Sequence, residues 1–319
     1  MDYILLVVGL VLLTICADML TRGCVGMAAR FRVPEFIIGL TVMAVGTSMP
    51  ELTVSAMSAL KGSSDMAIGN VTGSNLFTIL IILGICAIVR PISFSSENIR
   101  RDIPICIGAS LLLWFATADR FFGISGIDTI TRIEGLIMLL LYVAVIVYSV
   151  RSARRDMPAD NTSTDEEAAP AMGWGKVMFF IVVGLAGLIY GGNLCLESAT
   201  AIARAWGVSE SIIAITIVAA GTSLPELASS LSAVLSKKPS LALGNVIGSN
   251  IANILLILGL SGSISPLTMG DITTFDISVV AGSAILLLVS ALVIGKKRIT
   301  RVEGVFYLAA YVAYVLAIM

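Results

Sequence analysis

Two stretches of the chain set a carboxylate among hydroxyls inside an apolar run, and they do so in the same order. Residues 44–83 carry Gly46-Thr47-Ser48-Met49-Pro50-Glu51 and then Gly69-Asn70-Val71-Thr72-Gly73-Ser74-Asn75. Residues 219–258 carry Gly221-Thr222-Ser223-Leu224-Pro225-Glu226 and then Gly244-Asn245-Val246-Ile247-Gly248-Ser249-Asn250. The second copy follows the first at an offset of 175 with no insertion. In each GTSxPE segment the proline cannot donate to the carbonyl one turn back, that of Gly46 for Pro50 and Gly221 for Pro225, so each helix is predicted to kink or unwind there. Carbonyls around Ala44–Thr47 and Ala219–Thr222 should then leave the helical ladder. With the hydroxyls of Thr47, Ser48, Thr222 and Ser223 and the carboxylates of Glu51 and Glu226, the donor set is all oxygen. Oxygen donors with carboxylates suit hard cations, Ca2+ above all and Na+ by the same logic. In the GNxxGSN segments Asn70, Ser74 and Thr78 recur every four residues and share one helix face, as do Asn245, Ser249 and Asn253. Each stripe is predicted to face the kinked helix of its own half. Gly69 with Gly73, and Gly244 with Gly248, have the spacing that lets membrane helices approach closely, and plain helix packing explains them as well as function does.

The other polar residues carry weaker signals. A mid-membrane carboxylate is costly and functional by default, and Glu51 and Glu226 hold equivalent places in a repeat. Asp18 lies near the end of the first apolar run and reads as structural or vestibular. Glu134 and Glu303 follow Arg132 and Arg301 at the starts of apolar runs, where ion pairs or solvated ends are expected. The Asp165-Glu166-Glu167 run reads as a solvated loop. The chain has no His, which removes the commonest general base and transition-metal ligand. Its five cysteines are odd in number, form no CxxC and read as buried small hydrophobes.

Composition dictates the surroundings. The chain is 57% hydrophobic and 13% charged, with a mean hydropathy of +1.00. An ordinary soluble domain carries roughly 25% charged residues, so this is an integral membrane protein. A net charge of −1 argues against nucleic acid as a partner, and nothing calls for a cofactor or an obligatory protein partner besides the lipid bilayer. The apolar N-terminus lacks a basic leader and reads as a membrane helix. About 20 apolar residues span a bilayer, and ten candidates follow: 3–21, 35–60, 65–89, 103–118, 133–150, 175–203, 211–235, 240–264, 275–295 and 302–318. The polar segment 151–173 divides the chain into halves of five, 1–150 and 174–319. With the N-terminus outside, sixteen Lys and Arg fall in cytoplasmic loops and four in outer loops. The predicted protein is therefore a multi-pass cell-membrane protein with both termini extracellular and the central loop cytoplasmic. Five spans per half turn the second copy over relative to the first. The expected fold is all-α: ten transmembrane helices in two inverted-topology five-helix repeats, with discontinuous helices meeting at the midplane. A second echo, Thr131-Arg132-Ile133-Glu134-Gly135 against Thr300-Arg301-Val302-Glu303-Gly304, implies duplication of the whole half.

On these motifs the chain resembles the cation/Ca2+ exchanger superfamily, and within it the prokaryotic sodium/calcium exchangers. The resemblance covers essentially the whole chain. It implies exchange of Na+ for Ca2+ by alternating access, with spans one and six sliding against the other eight, and with Glu51 and Glu226 as shared ligands. It implies that Thr47, Ser48, Ser74 and the Ala44 carbonyl line one side of the ion site. Thr222, Ser223, Ser249 and the Ala219 carbonyl would line the other. Thr78 and Asn253 take a central position where similar exchangers carry Asn or Asp. A Ca2+/H+ antiporter of the same fold is the nearest alternative, because the two glutamates could carry protons. An intramembrane hydrolase lacks a nucleophile–base pair here, and a cation channel fits poorly with an inverted doublet.

Overall fold

Breaks in the apolar runs decide where the helices stop. The computed structural model describes residues 1–123, 127–155, 172–207, 219–294 and 297–318. Uninterrupted apolar sequence gives α1 (Asp2–Phe31), a helix of 30 residues. At a rise of about 1.5 Å per residue that is roughly 45 Å, more than the hydrocarbon core of a bilayer. The second apolar run breaks. Ser48 leaves the helical region at φ −81°, ψ 11°, and α2 (Glu35–Thr47) meets α3 (Met49–Leu60) at 49°. Pro50 sits in the first turn of α3, where no N–H is required of it. Then come α4 (Ser64–Val89), α5 (Ile103–Ala116) and α6 (Arg132–Arg155).

The second half repeats this order: α7 (Trp174–Ala205), a helical turn at Ala219–Gly221, α8 (Leu224–Leu235), α9 (Pro239–Ile264), α10 (Thr274–Ile294) and α11 (Arg301–Ile318). Ser223, at φ −91° and ψ 9°, makes the break that Ser48 makes in the first half, with Pro225 again in the first turn of the helix that follows. Each of the ten predicted segments contains helix where described, broken at Ser48 and at Thr222–Ser223. Among the described residues seven helices are long and apolar enough to cross a membrane, eight if α2 and α3 count as one span. The other two are α5, with 14 residues of regular helix, and α8, with 12, whose predicted span begins within residues outside the described ones. The central segment 151–173 and its Asp165-Glu166-Glu167 run also lie largely outside them.

The two halves clasp each other reciprocally. Strand β1 (Ile92–Ser93) pairs antiparallel with β4 (Arg298–Ile299), and β2 (Thr129–Ile130) pairs with β3 (Leu267–Thr268). β1 and β3 are counterparts, as are β2 and β4, so each pair joins one half to the other in the exchange a two-fold relation requires. Glycines repeat the pattern. A Cβ on Gly304 of α11 would stand 2.6 Å from the Gly84 carbonyl of α4, and one on Gly135 of α6 would stand 2.8 Å from the Gly259 carbonyl of α9. Glu134 and Glu303 are not paired with their neighbouring arginines. Each accepts hydrogen bonds from the N–H and hydroxyl of the threonine three residues before it, Thr131 and Thr300, at 2.7–2.8 Å. Those are capping boxes, which explains the second echo: it starts the last helix of each half.

Burial ranks the helices. α4 is 78% buried and α9 94% buried over their apolar windows, against 33% for α1 and α7 and 17% for α6 and α11. The two GNxxGSN helices are thus the centre of the molecule. α1 and α7 lie on the outside and pack along each other. Cβ atoms on Gly184 and Gly191 would come within 2.8 Å of the Leu20 nitrogen and 3.1 Å of the Leu12 side chain. The five cysteines are buried and unpaired, as expected.

Candidate cation site

The proline break gives each glutamate the first turn of a helix, where peptide N–H groups have no carbonyl partner of their own. Glu51 opens α3 and Glu226 opens α8, and both are fully buried. Each is held by the opposite half. The Ser223 hydroxyl donates to Glu51 Oε1 at 3.0 Å, and the Ser48 hydroxyl donates to Glu226 Oε1 at 3.0 Å. Ser74 of α4 reaches Glu51 Oε1 at 3.3 Å and the Ser223 hydroxyl at 3.0 Å. Among the described residues the remaining oxygen of each carboxylate, Oε2, has no hydrogen-bond partner. Neither do the Thr222 and Ser249 hydroxyls, the Asn250 Oδ1 or the Asn253 Oδ1. Buried oxygens of this kind are costly unless something positive sits among them. No group of three or more His, Cys, Asp or Glu forms among the described residues, so the carboxylates here are a pair and the remaining donors are neutral.

The supporting residues divide into those facing the glutamates and those behind them. Asn70 donates to the Glu51 backbone carbonyl at 3.2 Å and to the Ser55 hydroxyl at 3.0 Å, bracing α3 on α4. Asn245 does likewise in the second half, donating to Ser229 at 3.1 Å and Ser230 at 2.8 Å. Its Oδ1 accepts from the Thr47 hydroxyl at 3.4 Å, and that hydroxyl also lies 3.1 Å from the Met43 carbonyl. The Ala44 carbonyl is not released from the ladder as predicted. It accepts from the Ser48 N–H at 3.0 Å and lies 3.3 Å from the Thr47 hydroxyl. Pro50 frees the carbonyl of Gly46, one turn before it, and leaves that of Ala44 in use. Ala219 begins the matching helical turn. Gly248 lies against α2, where a Cβ would strike the Leu40 carbonyl, and Gly244 likewise meets Phe36. Among the described residues nothing lies within 4 Å of a Cβ at Gly73; the segment that would match α2 in the second half lies outside them. Asp18 pairs with Arg22 at 2.8 Å, away from the glutamates.

Sequence reasoning assigned no role to Asn75 and Asn250, although both recur in the repeat. Asn75 Oδ1 accepts from Asn253 at 2.9 Å, and Asn75 Nδ2 donates to the Asn250 carbonyl at 3.4 Å, so the two central helices are stitched together here. Thr78 and Asn253 lie in π-helical stretches, Phe77–Ile82 and Ala252–Leu258. Such insertions gather at functional sites, and their recurrence in both halves follows the repeat.

The whole of this frame has counterparts. Residues 1–151 and 176–319 match the family described as sodium/calcium exchanger protein. The chain belongs to that family. Among its exchanger-family relatives, the putative antiporter CaxA of Alkalimonas amylolytica is 38% identical over 98% of this chain and 96% of its own length. The sodium/calcium exchanger MaX1 of Methanosarcina acetivorans is 30% identical over 99% and 98%. A solved structure of the sodium–calcium exchanger NCX_Mj, soaked with Na+ and Ca2+, superposes with a TM-score of 0.82 at 30% identity, covering all of this chain and 98% of that one. This exchanger-family chain is accordingly a membrane-spanning secondary transporter and not an enzyme.

Proposed function

We propose that the chain exchanges Na+ for Ca2+ across the cell membrane, the two ions competing for one oxygen cage between the repeats. The observation that carries this reading is the reciprocal serine clasp, which aligns two buried carboxylates and leaves one oxygen of each unpaired. Glu51 and Glu226 are the shared ligands. Thr47, Ser48 and Ser74 line one side, and Thr222, Ser223 and Ser249 the other, with Thr78 and Asn253 between. The Ala44 carbonyl, which keeps its bond from the Ser48 N–H, joins the first side through its second lone pair, and the Ala219 carbonyl is its counterpart.

Charge supports the coupling. Two carboxylates balance one Ca2+, and several Na+ leave only a small excess. A cage without ions would carry two uncompensated charges in low dielectric, which opposes its movement and enforces exchange. The ten helices form halves 1–150 and 174–319 joined by the cytoplasmic segment 151–173, with both termini outside. The related exchanger NCX_Mj was soaked with Na+ and Ca2+ for its structure, which favours the same pair of ions here. The test is radioactive Ca2+ uptake into proteoliposomes under an imposed Na+ gradient or an imposed pH gradient. Uptake driven by Na+ and lost in Glu51→Gln and Glu226→Gln is the expected result. Uptake driven by the pH gradient alone makes the protein a Ca2+/H+ antiporter, and undiminished uptake in both variants removes the site.

A further inference from the structure

The reciprocity between the halves fails on the two central helices. The bonds from Ser48 to Glu226 and from Ser223 to Glu51 are mirror images at 3.0 Å. Ser74 and Ser249 are also counterparts, yet they are treated differently. Ser74 Oγ has Glu51 at 3.3 Å, Ser223 at 3.0 Å and the Asn253 amide at 3.1 Å. Ser249 Oγ is buried as completely and has no partner among the described residues. Asn75 Oδ1 accepts from Asn253 at 2.9 Å, whereas its counterpart Asn250 Oδ1 accepts from nothing.

The cause lies at positions 78 and 253. The Asn253 amide has two N–H groups and reaches across to Ser74 and Asn75 of the other half. Thr78 has one hydroxyl proton and gives it to the Ser74 carbonyl of its own helix at 2.7 Å. Nothing from position 78 crosses to Ser249 or Asn250. An oxygen that accepts an N–H bond has a positive hydrogen beside it and one lone pair fewer to offer a cation. We propose that Thr78 is a specificity-determining residue: by leaving Ser249 and Asn250 without donors it makes the second repeat the stronger cation-binding wall, while Asn253 weakens the first. This rests on the proposed ion cage and adds an inequality between its two sides. Ca2+, which takes roughly 6–8 oxygens, depends on that stronger wall most.

Equilibrium binding of radioactive Ca2+ to the purified full-length protein in Na+-free buffer tests it. Ser249→Ala is expected to weaken Ca2+ binding about tenfold and Ser74→Ala by less than about threefold. In the exchanged background, Thr78→Asn with Asn253→Thr, the order of the two losses is expected to invert. If the exchanged background does not fold, Thr78→Asn alone decides: Ca2+ binding weakens about tenfold and Ser249→Ala then adds little, because both act on one oxygen. The same order of serine losses in both backgrounds, or additive losses in Thr78→Asn, overturns the inference and leaves the cage standing. Glu51→Gln and Glu226→Gln proteins that bind Ca2+ like the parent overturn the cage and the inference together.

Discussion

At the residue scale the two glutamates and two serines form one unit, because each serine belongs to one half and serves the carboxylate of the other. Hydrogen bonds to charged groups contribute roughly 1.5–3 kcal/mol. Ser48→Ala and Ser223→Ala should therefore each weaken Ca2+-dependent exchange by about ten- to a hundredfold in apparent affinity, read from initial uptake rates against Ca2+ concentration. The larger loss is expected in Ser223→Ala, whose hydroxyl also meets that of Ser74 at 3.0 Å and stands on the stronger wall. The types of these residues were legible in the sequence, because a carboxylate in an apolar run demands a reason. Their partners were not. The cross-half clasp depends on which half each serine faces, and so do the bonds from Asn253 to Ser74 and Asn75, which periodicity within one helix does not contain. The Ala44 carbonyl departs from expectation for a local reason: Pro50 removes the donor to the Gly46 carbonyl alone, and Ala44 keeps its bond from the Ser48 N–H.

At the element scale the repeat acts as an internal control on helix ends. Gly62 and Lys237 are counterparts in the turns before α4 and α9, and both adopt positive φ, 78° and 64°. Glycine takes this conformation without penalty, whereas a Cβ costs roughly 1–2 kcal/mol. Lys237→Gly should raise thermal stability in detergent by about 1 kcal/mol, and Gly62→Lys should lower it by a similar amount. A fall in melting temperature for Lys237→Gly would show that the lysine's charge or its packing outweighs the backbone strain. Helix positions followed from apolar runs and proline, which is why all ten predicted segments coincide with helices where described. The π-helical stretches at Phe77–Ile82 and Ala252–Leu258 had no such signal. One extra residue in a turn changes hydrogen-bond partners without changing the hydrophobic pattern. Glu134 and Glu303 illustrate the opposite case: the Thr-x-x-Glu spacing was present, and a capping box accounts for it better than the arginine beside each glutamate.

At the scale of the molecule the burial gradient separates two bodies. α4 and α9, stitched by the Asn75–Asn253 bond and flanked by exchanged strands and glycine contacts, make a centre in which every element is held by the other half. α1 and α7 pack mainly on each other over their length, with Gly9, Gly184 and Gly191 in their seam; in the proposed alternating access the pair moves as one piece across α8. A hydrogen bond of 3.2 Å from Thr21 of α1 to Ser232 of α8 crosses the seam that this proposed movement would open. Joining Thr21→Cys to Ser232→Cys by oxidation should stop Na+-driven Ca2+ uptake, and a reductant should restore it. The control lies in the other seam. A Cβ at Gly9 falls 2.6 Å from the native Cys195 Sγ, so Gly9→Cys can be joined to α7 by the same oxidant, and this protein should go on exchanging because α1 and α7 travel together. Inhibition by both links would mean that the pair itself must open, and inhibition by neither would mean that access alternates around some other seam. The two links tie α1 to different neighbours, so the comparison reads which seam moves.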